Sequence, residues 1–496
     1  MMAIICNKGD FKMANIDWKD KNNLTMLTDF YEFTMANGYM EYGMENTIAY
    51  FDMFFREIPD NGGFAIMAGV EQLIQYMKNL KFYDDDIEYF RNKNIFSEKF
   101  LNYLKNFKFE CDVWAIPEGT PIFPKEPIVT VRGPVIQAQI LETMILLTIN
   151  HQSLIATKSN RIVRAAQGRP IMEFGSRRAQ GYEGAILGAR AAYIGGCVGT
   201  ACTITDRDFE VPALGTMAHS WVQIFPSELD SFRAYARLYP DDCVLLVDTY
   251  NVLKSGIPNA IKTFQEEVIP RGFRPKGVRI DSGDIAYLSK ESRKMLDKAG
   301  FEDCPIVVSS SLDEYVIEDL INQGAAINSL GVGERLITAR SEPVFGGVYK
   351  LVAIESEGKI IPKIKISENV DKITIPGFKQ VYRLYDKTSG KATADVISLH
   401  DEIIDESKPY QIFHPLYTWK KKTLTNFTAR KLLIKIFDKG NCVYESPNIK
   451  DIQKYCKEQI STLWDEVLRF ENPHEYFVDL SDILWNIKTD LLRKYE

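Results

Sequence analysis

His219 stands in the run Gly-Thr-Met-Ala-His-Ser-Trp, in a chain with only five histidines. A neutral imidazole is a nucleophile and proton carrier near neutral pH, and the small residues ahead of it leave room for a bulky phosphate. A core or capping histidine is the competing reading, and the run alone does not separate the two. Arg-Ile-Asp-Ser-Gly-Asp at 279–284 offers a guanidinium that can fork onto a carboxylate or phosphate. Its Asp281 could accept from ribose hydroxyls or help hold Mg²⁺. Asp284 reads as a helix N-cap. Gly331 and Gly333 would let backbone N–H groups approach a phosphate closely, a simple tight turn being the plainer alternative. Arg177 and Arg178, close behind Phe174, would suit an anionic ligand if they are not just a solvated pair. Phe174 and Tyr31 are single aromatics, for which core packing is the common fate.

The elements around these residues make the functional readings stronger. From about Gly168, short apolar runs alternate with helical patterns, the signature of parallel βα units. The expected strands are Arg-Pro-Ile-Met-Glu-Phe (169–174), Val-Pro-Ala-Leu-Gly-Thr (211–216), the run ending at Asp248, Gly-Val-Arg-Ile (277–280), Pro-Ile-Val-Val-Ser (305–309) and Ala-Ile-Asn-Ser-Leu-Gly-Val (326–332). Each ends in a polar or glycine cluster: 173–178, 215–219, 248–251, 279–284, 309–311 and 331–335. Parallel βα folds place their chemistry at the C-terminal ends of strands, so these clusters point to one shared site. The strands are too few for eight, which predicts an irregular or incomplete barrel. Phosphates often sit after the last barrel strands, which favours the ligand reading of Gly331 and Gly333.

Upstream, Leu27, Phe30, Tyr31, Thr34, Met35 and Gly38 recur at helical spacing within 24–42, and Ile48–Phe55 alternates as a strand. A helix is expected over 69–77, then two strands near Val113 and Ile128 around a proline-rich turn. Residues 346–398 read as β structure, and a helical pattern starting at Ile449 runs through Leu463, Val467 and Leu468. The organisation expected is a polar lead (1–22), an α+β domain (23–140), a barrel-like α/β domain (141–345), a β-rich segment packing with the N-terminal domain (346–425), and an extension of a strand then helices (426–496).

Length predicts two or three domains. A net charge of −7 disfavours nucleic acid as the main partner, yet leaves room for small phosphorylated ligands held by local donors. Eight scattered cysteines without a Cys-x-x-Cys pair read as reduced thiols. The apolar run 135–149 carries Glu142 and is too short to span a bilayer. A soluble, cytoplasmic chain is expected, with no membrane partner.

The residues so far describe a site for a phosphorylated sugar, an anionic ring and a phosphorylatable histidine, and do not name the ring. The stretches that contain them, from Leu-Thr-Asp-Phe-Tyr (27–31) through Phe-Gly-Ser-Arg-Arg (174–178), Gly-Thr-Met-Ala-His-Ser-Trp and Gly-Val-Arg-Ile-Asp-Ser-Gly-Asp to Asn-Ser-Leu-Gly-Val-Gly-Glu-Arg (328–335), run in order between about Leu24 and Tyr385. They resemble the nicotinate phosphoribosyltransferase family of type II phosphoribosyltransferases. The resemblance implies an irregular (βα) barrel with an α+β N-terminal domain and a C-terminal β/α extension. It also implies a homodimer with its site shared across the interface, and Mg²⁺ and ATP as cofactor and co-substrate. Tyr31, from the partner subunit, and Phe174 would sandwich the pyridine ring, with Thr216 and Arg279 at or beside nicotinate. Arg177, Ser309, Gly331, Gly333 and Thr338 would line the phosphoribosyl pyrophosphate side with Asp281. His219 would be the histidine phosphorylated by ATP. The segment 198–210 departs from the family pattern. Three rivals remain. A nicotinamide-specific relative would want an acceptor carboxylate near its ring, and Asp206 is close in sequence. A quinolinate-type transferase fits neither the histidine motif nor the length. A non-catalytic homologue is disfavoured by the intact His219, Arg279 and Asp281.

Overall fold

The computed structural model describes residues 23–495, so the polar lead 1–22 lies outside the described residues. A seven-stranded antiparallel sheet takes its strands from three stretches of chain, in the spatial order Lys359–Pro362, Gly347–Ser356, Ile48–Phe55, Val129–Pro134, Asp112–Ala115, Ile434–Asp438 and Asn441–Cys442. The strand Ile48–Phe55 is an interior strand, third in that order, with Asp52 opposite Thr130 on one side and Lys350 on the other. Its alternation predicts one solvated face, whereas nearly every residue is buried. The reason is that a four-stranded sheet (Phe427–Lys431, Lys379–Asp386, Ala392–Leu399, Val478–Leu480) belongs to the structure that covers it. Tyr50 packs on Phe378 at 5.0 Å, and the Lys379 ammonium reaches the Asp52 carboxylate at 2.8 Å, both side chains being buried.

The parallel sheet has six strands, in the order Gly199–Thr200, Ile171–Glu173, Ser329–Val332, Ile306–Ser309, Gly277–Ile280 and Val244–Leu246. Its two end strands are not paired with each other, which makes it an incomplete barrel, as expected. The strand expected over 211–216 is a correction: the strand is Gly199–Thr200, and 211–216 touches it through one bridge, Thr200 to Ala213. Pro212 has no N–H to give a ladder, so the run can only lie along the edge. The segment 198–210 therefore supplies a barrel strand and the helix Thr203–Phe209.

Other differences have local causes. The first helix is Phe30–Glu41, shorter than the periodic stretch, and it buries Phe33, Ala36 and Met40 while Leu27, Phe30, Tyr31 and Met35 stay exposed. Helices Asp84–Asn92 and Glu98–Lys105 are not among the expected elements; each is short and buries only a narrow apolar face, Ile87 and Phe90 in one and Phe100, Leu101 and Leu104 in the other. Their signals are acidic first turns and the Ser97 N-cap, which accepts from the Phe100 N–H. The helix that starts at Ile449 ends at Ser461, so Leu463, Val467 and Leu468 pack from turns. The apolar run 135–149 divides into Val135–Gln139 and the start of Glu142–Ala165. No helix among the described residues is long and apolar enough to cross a membrane, and the seven described cysteines are free.

The 24-residue helix Glu142–Ala165 packs on the helices Gly181–Ile194 and Glu314–Asn322 of the barrel and on the strand Gly347–Ser356 of the antiparallel sheet, and is unusual in its buried charges. Lys158 Nζ reaches Glu314 at 2.8 Å, Asp60 at 3.0 Å and the Ser341 hydroxyl at 2.7 Å. Arg161 Nε donates to the same Glu314 oxygen at 2.9 Å. Glu314 is fully buried, so its charge is compensated by these two cations alone. Removing it leaves the two buried cations with Asp60 alone among the described residues, 3.0 Å from Lys158 and 3.9 Å from Arg161. Glu314→Gln is expected to destabilise the fold by about 3–5 kcal/mol, read as a lower urea midpoint; a midpoint equal to wild type would show that the cluster does not hold the layers together.

Candidate functional site

The strand Gly277–Ile280 places Arg279 between Leu246 and Val307 of its neighbours, near the C-terminal edge of the parallel sheet. There its guanidinium binds three side chains. Nε donates to Ser309 Oγ at 3.0 Å, Nη1 donates to Thr216 Oγ1 at 3.2 Å, and Nη2 lies 3.2 Å from Asp281 Oδ1. Its carbon centre is 5.5 Å from the centroid of the Phe174 ring. Ser309, buried at the end of its strand, also donates to Asp281 Oδ1. Thus Phe174, Thr216, Arg279, Asp281 and Ser309, five of the expected residues, form one hydrogen-bonded cluster with an aromatic face.

His219 is the first residue of the helix His219–Ile224 and its side chain is 40% exposed. Nδ1 is 3.0 Å from Thr249 Oγ1; Nε2 is 3.9 Å from Asp281 Oδ2 and 4.0 Å from Asp248 Oδ1. The histidine therefore adjoins the cluster through Asp281. Asp248 was not singled out from the sequence, although its strand-end position was visible. Its side chain is 1% exposed. Oδ2 accepts from the Asp281 N–H at 3.1 Å and from Ser282 Oγ at 2.6 Å, which fixes the loop bearing Asp281. Oδ1 is buried with no hydrogen-bond partner and faces the imidazole. Asp284 is the expected N-cap, accepting from the Tyr287 N–H.

The two glycines have a reason that motif reading missed. A Cβ on Gly331 would stand 2.5 Å from the Phe174 ring, and one on Gly333 would stand 3.1 Å from the Phe174 carbonyl oxygen. Both therefore seat the loop that carries the aromatic. Beneath it Glu173 is buried, accepting from Thr200 Oγ1 at 2.5 Å and from the Gly175 N–H. Burial pushes its carboxyl above the usual range, and those two donors oppose the shift.

Arg177 and Arg178 form an exposed turn, and neither has an ion-pair partner among the described residues. Thr338 ends the short helix Glu334–Ile337 and its hydroxyl donates back to the Glu334 carbonyl at 2.8 Å. Tyr31 is not brought to the cluster. Its helix packs on Glu98–Lys105 and Val135–Gln139, and the ring is 46% exposed. Partial burial and then the Glu142 carboxylate push its phenol above the ordinary range. No group of three or more acidic, histidine or cysteine side chains among the described residues could enclose a metal. Asp206, in Thr203–Phe209, shares no hydrogen bond or ion pair with Phe174, Thr216 or Arg279 among the described residues.

The arrangement suits a flat anionic ring beside a phosphorylated sugar. Comparison with known proteins agrees. The nicotinate phosphoribosyltransferase (NAPRTase) N-terminal domain matches residues 26–150, and the family's C-terminal domain matches 378–488. A nicotinate phosphoribosyltransferase of Bacillus subtilis (strain 168) is 43% identical over 476 residues, covering 96% of each chain. One from Caenorhabditis elegans is 34% identical, covering 93% of this chain and 92% of its own. The crystal structure of human nicotinic acid phosphoribosyltransferase superposes with a TM-score of 0.82 at 28% identity, covering 94% of this chain and all of that one. With its incomplete parallel barrel, its strand-end cluster and relatives matching along nearly its whole length, the chain belongs to the nicotinate phosphoribosyltransferase family.

Proposed function

We propose that the cluster around Arg279 joins nicotinate to 5-phosphoribosyl 1-pyrophosphate, with ATP hydrolysis coupled through His219. The observation that supports this most is the Arg279 guanidinium held beside the Phe174 ring by Thr216, Ser309 and Asp281. A fixed cation beside an aromatic face recognises a ring carboxylate and holds the ring flat. A nicotinamide amide would gain little from that cation and would want an acceptor carboxylate there, whereas Asp281, the carboxylate beside Arg279, is already paired with it. The pyridine nitrogen attacks the anomeric carbon as the bond to pyrophosphate breaks. The products are the mononucleotide and pyrophosphate. Arg177 is the exposed guanidinium available to the leaving group, and the backbone of Gly331 and Gly333 with Thr338 and Ser309 borders the sugar phosphate.

His219 is the phosphoryl acceptor in this reading. The carboxylates near Nε2 favour the tautomer with its proton there, leaving the Nδ1 lone pair as nucleophile. Transfer from ATP forms a phosphohistidine and ADP, and water later releases phosphate. The added dianion beside Asp248 and Asp281 raises the local negative charge, so the phosphorylated and free enzymes hold substrate and product differently. Mg²⁺ fits the site as an ion held by Asp281, with the buried free oxygen of Asp248 nearby, and completed by water and the substrate's own phosphates. When bound it would neutralise charge on the departing pyrophosphate.

The site is completed by a second copy of the chain in this proposal. Phe30, Tyr31 and Met35 on the first helix, with Leu27 just before it, form an exposed apolar stripe, which a homodimer interface would cover while delivering Tyr31 to the partner's ring slot.

Mononucleotide formation should proceed with nicotinate and be accelerated by ATP, and His219→Ala should lose the acceleration while retaining slow turnover. Preference for nicotinamide would move the assignment to the amide branch. Gly331→Ala should push the Phe174 ring aside and raise the KM for nicotinate about tenfold or more, equivalent to about 1.4 kcal/mol of lost binding; a nicotinate KM equal to wild type would remove Phe174 from the ring slot. Tyr31→Ala and His219→Ala subunits should each be impaired alone yet recover ATP-stimulated activity when mixed, because hybrid dimers contain one intact site. Mixtures no better than their components would place Tyr31 outside a shared site.

A further inference from the structure

Two loops border the side assigned above to the sugar phosphate, and one ion pair ties them together. The strands Ile306–Ser309 and Ser329–Val332 are parallel neighbours, with Ser309 opposite Gly331. After the first, the chain passes through Ser310 and Ser311 to Asp313, the N-cap of the helix Glu314–Asn322. After the second, it passes through Gly333 into the short helix Glu334–Ile337. Asp313 Oδ1 accepts from the Val316 N–H at 2.9 Å, and Oδ2 accepts from the Arg335 guanidinium. One carboxylate therefore caps its own helix and holds the loop beside it. The reaction proposed above gives neither Asp313 nor Arg335 a part.

Both loops present backbone donors. Among the described residues, the N–H groups of Ser310, Ser311 and Leu312 in one loop, and of Gly333, Glu334 and Arg335 in the other, donate no hydrogen bond. Ser310 (φ 105°) and Ser311 (φ 48°) have left-handed backbone, which a residue with a Cβ keeps only when its surroundings impose it. Both serines are exposed, so the constraint comes from the ends of the loop. One end is Ser309, whose hydroxyl lies between Arg279 and Asp281; the other is Asp313, held by Arg335. Successive free N–H groups in such a turn make a concave site for an anion. Two such arrays act on one phosphate only when the gap between them is right.

The charges decide what the ion pair does. The Arg335 and Asp313 side chains are 29% and 17% exposed, and each compensates the other. A guanidinium so paired is a weak counter-charge for a phosphate, and a carboxylate nearby repels one. Neither residue helps the ligand as a charge; together they fix a distance. We propose that Asp313 and Arg335 are positioning residues, which set the gap between the two loops so that their N–H groups converge on the sugar phosphate of phosphoribosyl pyrophosphate. The inference rests on the side of the site that the proposed reaction gives to that phosphate.

Calorimetric titration of the full chain with phosphoribosyl pyrophosphate tests it. Asp313→Asn keeps the N-cap, because asparagine caps about as well as aspartate, and loses the ionic link. Removal of a negative charge would by itself tighten phosphate binding. The positioning role instead predicts weaker binding, by about tenfold if the converged arrangement falls to about a tenth of the population. Arg335→Met should weaken binding by a similar factor. The double variant should be no worse than either single one, because all three lack the same link. Inorganic pyrophosphate, placed against Arg177 in the proposed reaction, should bind wild type and variants alike, with urea midpoints close to wild type. Tighter or unchanged binding in Asp313→Asn, additive losses in the double variant, an equal loss of pyrophosphate binding, or a midpoint that falls with the affinity would each overturn the inference. Wild type without affinity for phosphoribosyl pyrophosphate would overturn the proposed reaction as well, whereas wild-type binding that the variants leave unchanged sinks the ion pair's role alone.

Discussion

Glu314 and the two cations it holds fix how the parts of this chain meet. Lys158 and Arg161 come from one long helix, Glu314 begins a barrel helix, Asp60 comes from the loop after the strand Ile48–Phe55 of the antiparallel sheet, and Ser341 follows the last barrel strand. Placing these charges in the interior is expensive, and their mutual attraction offsets that expense only in one geometry. The cluster therefore specifies position more than it adds stability. Arg190 works in the same way on the next helix: fully buried, it forks onto Glu118 at 2.8 Å from both terminal nitrogens and onto Glu71. Burial alone would disfavour its charge, but the two carboxylates reverse that and hold its pKa above the ordinary value. The two sheets are thus locked together by directional contacts, where purely apolar packing would tolerate sliding.

That rigidity matters at the strand ends. Arg279, Ser309, Asp281 and Asp248 come from three adjacent parallel strands, and each is held by another. Asp248 fixes the Asp281 backbone, Asp281 accepts from Ser309, and Ser309 accepts from Arg279. Such a network keeps a guanidinium and a carboxylate adjacent without collapse into a simple closed pair, so that both remain able to address a ligand. The aromatic face is built differently, by subtraction: Phe174 can lie where it does because Gly331 offers no side chain.

The parallel sheet was legible because its strands are buried on both sides and read as short apolar runs ending in polar clusters. That pattern located Arg279, Asp281, Ser309 and His219 together before any geometry was known. Three things were not legible. The strand at Gly199–Thr200 is two residues long and has no periodicity, so the neighbouring run 211–216, richer in apolar residues, took its place in the sequence reading. Asp248 looked like one of several strand-end polar residues, and only its buried, unpartnered oxygen beside His219 sets it apart. Glycine motifs were read for the approach of a ligand, while the closest neighbour of Gly331 is the protein's own ring. Side-chain fit between remote segments leaves no periodic trace.

The first helix shows a limit of another kind. Apolar residues recur at helical spacing on two of its sides: Phe33, Ala36 and Met40 on one, Phe30, Tyr31 and Met35 on the other. Periodicity identifies a helix, but when both faces are apolar it cannot say which of them the chain's own core consumes. Pattern reading selected the second face, and the fold buries the first. A helix with a core face satisfied and a second apolar face left in solvent has an unspent hydrophobic driving force, because each exposed aromatic retains the unfavourable hydration that burial would remove. Tyr31 lies on that face and makes no described contact with Phe174 in its own chain, so the proposed contact with the ring slot would come from another copy. The same exposure that separates Tyr31 from the cluster within one subunit is what the proposed shared site requires.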